Sequence, residues 1–349
     1  MKWIIRGTSV LAFILGVVQL IRMVSDGRDR RRQIDELLHV EQMQAQAGDH
    51  AAGWASLERA LGIAESGGLF AKLTGQLSPD AQRVRTAQEN LAMAWAEELH
   101  VAPGEKYSPI ADKIAPVMTR GATAASGQRK ADLLAHTGWA AFYKSLDGAS
   151  IPDLAPQYKA ALVEDAANPY AHAFLGHWIV WSGGSIDEAM TEFKAAVAAN
   201  RARPLVRRVE RAALKRRGQS ADPALVAVAT EMRQNGEQVD DSLRSDIDAL
   251  YYFACGTRDN VEGMRPLLAV VPASEQVVTY RRLFYDRAGR SLDASPGPQR
   301  DACLATLLEA AGQRQDALSV WRRLRTEIGV NSGHALKPRA DAAIKRLKG

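Results

Sequence analysis

The chain has 349 residues, 46% of them hydrophobic, and Lys and Arg outnumber Asp and Glu by 45 to 40. Residues 1–32 carry that whole excess, with Lys2, Arg6, Arg22, Arg28, Arg30, Arg31 and Arg32 set against Asp26 and Asp29. The remaining 38 basic and 38 acidic side chains leave a neutral body, which speaks against a nucleic-acid-binding domain. Two cysteines, Cys255 and Cys303, match neither a disulfide framework nor a zinc pattern and read as buried free thiols.

In chain order, the first feature is Trp3–Val24, WIIRGTSVLAFILGVVQLIRMV, charged only at Arg6 and Arg22. As a helix it would be about 33 Å long, against a hydrocarbon core of about 30 Å. Leu20-Ile21-Arg22 and Val24-Ser25-Asp26 lack the small-x-small pattern of a cleavage site. The expectation is an uncleaved transmembrane anchor over 1–24 and a basic juxtamembrane linker over 25–32 whose arginines face anionic lipid. The expected location is a single-pass protein of a bacterial inner membrane. Five cations follow the apolar run, which favours a cytoplasmic body. A short basic tail before such a run is the usual start of an exported one. The side stays open between cytoplasm and periplasm.

Beyond Gln33 there is almost no period-two alternation, and Gly or Pro punctuates the chain every 12–20 residues. That predicts an all-α body of some 14–17 helices, divided into an N-terminal helical region at 33–130 and a repeat region at 131–349. Pro79-Asp80 opens a helix running to about His100; VAPGEKYSP interrupts it, and Ile110 to about Ala125 forms another. The clearest repeating unit is 169–200. Phe174, Leu175, Trp178 and Ile179 line one helix, Gly183-Gly184 breaks it, and Ala189, Phe193, Ala196 and Val197 line the next. Neither helix can bury its stripe alone, so the unit makes sense only when stacked. Further helices are expected at 205–217, 222–235, 239–255, 259–271 and 275–288.

Leu175-Gly176, Ala189, Phe193 and Ala196 resemble the tetratricopeptide repeat superfamily, a 34-residue helix–turn–helix. Gly138 with Tyr158 and Ala161 gives a second match, and Leu304, Leu308, Gly312, Ala317, Trp321 and Leu324 a third. A weaker one surrounds Gly48, Gly53, Leu57 and Ala60. The resemblance implies a right-handed solenoid of antiparallel helix pairs whose concave groove binds another protein. Combined with the anchor, it suggests a membrane-tethered member of that superfamily.

Chemistry is harder to find. The sequence has no HExxH, Walker A or GxSxG motif; only His172 and His177 are close together, at a spacing that suits no single helical face. No metal or cofactor is expected, and the histidines read as packing, capping or surface residues. Segment 201–217, RARPLVRRVERAALKRR, holds eight basic residues against Glu210. Arg207, Arg208, Arg211 and Lys215 are candidates for docking an acidic partner segment; pairing with acids of the adjacent repeat, or contact with lipid or nucleic acid, is the alternative. Trp178 and Trp181 belong either to a packing stripe or to a peptide-binding face, and the same choice applies to Tyr251 and Tyr252. The expected function is a non-catalytic, membrane-tethered scaffold or assembly factor. The rival is a helical-repeat hydrolase or transferase acting on an envelope polymer, with acids such as Glu97, Glu98, Asp187 and Glu188 converging in a cleft.

Overall fold

The computed structural model describes residues 27–66, 77–238, 240–251, 261–284, 297–329 and 333–349. Among them lie α1 (27–46), α2 (His50–Ser66), α3 (Pro79–Glu97), α4 (Ser108–Ala124), α5 (Gly127–Leu146), α6 (Ala155–Glu164), α7 (Pro169–Trp181) and α8 (Ile186–Ala198). There follow α9 (Arg203–Arg216), a 3-10 turn (Gly218–Ala221), α10 (Asp222–Gln234), α11 (Asp241–Tyr251), α12 (Val261–Val270), α13 (Ala273–Phe284), α14 (Pro298–Ala310), α15 (Arg314–Glu327) and α16 (Lys337–Lys348).

Local chemistry sets the boundaries. Ser78 caps α3 by accepting the Ala81 amide at 3.1 Å, with Pro79 at the first helical position. Buried Asn168 does the same for Ala171 at 2.9 Å ahead of Pro169. A side-chain acceptor satisfies one of the orphan amides, and proline has no amide to lose there. Gly183 and Gly312 end α7 and α14 at φ 88° and 70°, where a Cβ would be strained.

The packing is that of paired helices. Neighbours in sequence lie against one another (α2 on α3, α4 on α5, α5 on α6, α14 on α15, α15 on α16), and alternate helices also touch (α3 with α5, α5 with α7, α11 with α13). Contacts between neighbours and next-but-one neighbours are the signature of stacked helical hairpins. The fold is therefore all-α and TPR-like in its helix pairing. The repeat positions serve that packing. Leu57, Ala60, Tyr158, Ala161, Leu175, Ala189, Phe193, Ala196, Ala317, Trp321 and Leu324 are all at most 3% exposed.

Two compact units form, one from the described residues of Met1–Ser182 and Thr191–Val209, the other from those of Gly183–Met190 and Glu210–Gly349. The boundaries fall after Ser182, inside α8 and inside α9. The second unit has its own apolar core, including Leu214, Val228, Leu267, Tyr280, Leu304 and Trp321.

The membrane reading is corrected. Trp3–Val24 lies outside the described residues, and among the described residues no helix is long and apolar enough to cross a membrane. The transmembrane element, the membrane-anchored form of the repeat resemblance, the single-pass localisation, the tethering and the lipid contact through residues 1–32 are not retained. The described helices bury one stripe against neighbouring helices and keep charged side chains on the other face, which hydrocarbon would not accept. From residue 27 the described chain is helical, and two of its arginines lie beside protein carboxylates. Arg31 lies 3.5 Å from Asp80, and Arg32 lies 3.0 Å from Glu36 one turn on.

Candidate protein-binding surface

The aromatic residues of α5 and α7 interleave. Trp139 stacks on Phe174 with ring centres 4.4 Å apart and planes within 6°, and His177 meets both Trp139 (4.9 Å) and Phe142 (4.7 Å) edge-on. Trp181 closes the ladder against Phe142 at 4.8 Å. Trp139, Phe142, Phe174 and His177 are buried, so this is first a packing stripe, with half-buried Trp181 at its margin. Trp178 is also half-buried, and its indole N–H donates to Asp153 at 2.6 Å. Burial pushes the Tyr143 hydroxyl up to about 12. Burial, reinforced by Glu97 and Asp132, does the same to Tyr170. Tyr251 ends α11, and Tyr252 lies outside the described residues.

The cations of 201–217 are largely engaged within the fold. Arg207 and Arg211 are only 2% and 3% exposed. Arg211 Nη1 reaches buried Asp246 at 3.1 Å, and Lys215 Nζ takes the other carboxylate oxygen at 2.7 Å. Arg201 forks onto Asp132 at 2.9 and 3.0 Å while lying 5.2 Å from the Tyr170 ring centre; that hydrogen bonding raises its already high pKa. Arg208 is exposed, yet its Nη2 donates to the Glu97 carbonyl at 2.6 Å, at the C-terminal end of α3. Arg217 donates to the Gly184 carbonyl at 3.1 Å. Of the candidates on α9, Arg208 and Lys215 present surface; Arg207 and Arg211 do not.

The acids considered for catalysis are placed differently. Glu97 lies 2.9 Å from Nε2 of buried His136, whose Nδ1 faces the Asp132 carbonyl at 2.7 Å. Glu98 reaches His50 at 3.1 Å, and Glu192 reaches His172 at 2.6 Å. These pairs clip helices together. Asp187 and Glu188 are exposed in the first turn of α8, where the helix dipole favours acids. Among the described residues no group of three or more His, Cys, Asp or Glu is placed to hold a metal. Cys303 is fully buried, and Cys255 lies outside the described residues.

Two features escaped the sequence reading. Residues 314–349 carry nine Lys and Arg against Asp316, Glu327 and Asp341, a local excess the body's neutrality hides. Part of it is paired: Arg323 forks onto Asp301, Arg325 meets Asp341, and Arg346 meets Glu309. Among the described residues, exposed Arg322, Lys345 and Lys348 form no ion pair. A count along the sequence would have found this patch. The second feature is a cavity of about 350 Å³ in the second unit, walled by Lys215, Gln219, Leu225, Asp246, Ala249 and Leu250. Its residues come from α9, α10, α11 and the turn after α9, and no sequence spacing announces them.

No family model matches the chain, and no curated protein matches it. Among solved structures it is similar to a tetratricopeptide repeat protein from Parabacteroides merdae, with 12% identity and a TM-score of 0.39 over 91% of this chain and 100% of that one. The fold described above rests on the helix packing and not on that likeness.

Proposed function

We propose that this protein is a non-catalytic binding scaffold of paired helices that captures an acidic segment of another protein. The observation that carries the reading is the exposed cationic face of α15 and α16. The helix dipole accounts for Lys345, Arg346 and Lys348 in the last turn of α16. It does not account for Arg322 on α15, and it opposes Lys337 in the first turn of α16. A cation kept where its own helix disfavours it suits an anionic partner, with electrostatics governing encounter and specificity.

A photo-crosslinking residue at 322 or 345 of the full chain, expressed in its native cells, should join acidic segments of a recurring partner. With that partner purified, the triple variant Arg322→Glu, Lys345→Glu, Lys348→Glu should bind at least tenfold more weakly. Reversal of Lys159 and Lys194, exposed on α6 and α8, should leave affinity unchanged. Equal affinity for the triple variant would remove α15–α16 as the docking face.

A further inference from the structure

The cavity beside α9 has the composition of a ligand pocket. Its volume of about 350 Å³ sits at the small end of such sites, about 300–1,000 Å³. Leu225, Ala249 and Leu250 supply apolar wall, and Gln219, Asp222, Asp246 and Lys215 supply the polar part. Asp246 is 4% exposed and has both oxygens occupied, one by Arg211 and one by Lys215. Arg211 is as buried as Asp246 and holds it at 3.1 Å while also lying 3.6 Å from exposed Asp240, so the buried carboxylate keeps a cation inside the fold. The Lys215 side chain is 48% exposed. It can leave Asp246 without stranding a buried carboxylate, because Arg211 stays. Asp222 stands in the first turn of α10, where the helix amides favour its charge. The recruitable charge at this apolar cavity is therefore the Lys215 ammonium.

We propose that the cavity binds a small amphiphilic carboxylate, its apolar body against Leu225, Ala249 and Leu250 and its carboxylate on Lys215 Nζ. This site is separate in residues and in ligand from the α15–α16 face. The test is isothermal titration of the full chain with three probes below their aggregation concentrations. Octanoate has body and charge, octylamine the body with the opposite charge, and acetate the charge without the body.

Octanoate should bind saturably at one site, at least tenfold more tightly than octylamine or acetate. Lys215→Met keeps most of the stem at a half-exposed position and should weaken octanoate at least tenfold. Ala249→Phe fills the cavity from its wall and should abolish binding while the far-ultraviolet circular dichroism stays helical. If that variant fails to fold, Lys215→Met decides. No saturable octanoate binding, equal binding of octylamine, or an unchanged affinity in Lys215→Met would each overturn the proposal.

Discussion

A Cβ atom on Gly138 would lie 2.6 Å from Cε1 of Tyr158, a ring that is 1% exposed and has nowhere to move. Gly138→Ala should therefore cost about 1–3 kcal/mol through overpacking. Gly62, inside α2 with open space where its Cβ would be, provides the control; Gly62→Ala should gain about 0.5–1 kcal/mol. Urea unfolding of the two variants measures both signs, and equal shifts would refute the close-approach argument. The repeat resemblance singled out Gly138 and Tyr158 separately; their contact is visible only in the structure.

Two carboxylates give opposite pH signatures. Asp147 accepts the Ser108 hydroxyl and the Ser108 and Tyr107 amides at 2.5, 2.6 and 3.1 Å, which holds its pKa below the usual value. Its contribution is complete above the ordinary carboxylate range and is lost as pH falls through the depressed value. Burial raises the Glu41 pKa, so this group costs stability once ionised and gives it back as pH falls through the raised value. Glu41→Gln should raise Tm at pH 7 with little effect at pH 3. Asp147→Asn should lower Tm at pH 7 and flatten its acid side. Thermal scans between pH 3 and 7 check both.

At the scale of the element, α9 shows how far a charge run can mislead. Its apolar stripe was readable from Leu205 and Val209, both under 10% exposed. The partner of Arg211 was not, because Asp246 is 35 residues away on α11 and no periodicity links them. Asp246→Ala should cost about 1–3 kcal/mol by removing the carboxylate 3.1 Å from buried Arg211, which keeps Asp240 at 3.6 Å. The double variant Arg211→Leu, Asp246→Leu should cost clearly less than Asp246→Ala alone. A denaturation cycle in which the double variant is the worst would contradict a mutually neutralising pair. Lys337→Glu on α16 offers a second contrast, since it should stabilise the helix by about 0.3–1 kcal/mol while weakening partner capture.

At the scale of the whole molecule, two compact units, each built mainly from contacts between neighbouring and next-but-one helices, should unfold in parts. Trp321 is 1% exposed, hydrogen-bonded to Glu309 at 2.7 Å and covered by Arg339. Trp321→Ala should cost about 3–5 kcal/mol. The loss should appear as faster amide exchange in the unit containing Glu210–Gly349, with the amides of α5 and α7 much less affected. Uniform loss of protection across both units would show a single cooperative fold instead.

The sequence by itself determined the all-α class, the helix–turn punctuation and most core positions. These follow from local rules: caps and prolines start helices, glycines end them, and apolar stripes recur every 3.6 residues. The same reading, applied to an apolar run at the chain's start, produced a membrane placement that the described helices do not support. Only the tertiary structure decided which charges are free. Arg201 is spent on Asp132, Arg211 on Asp246, and Glu97 on His136, while Arg322, Lys345 and Lys348 stay exposed. Charge counts along a chain are local, but neutralisation depends on which helix packs beside which, and that is settled by contacts tens of residues apart.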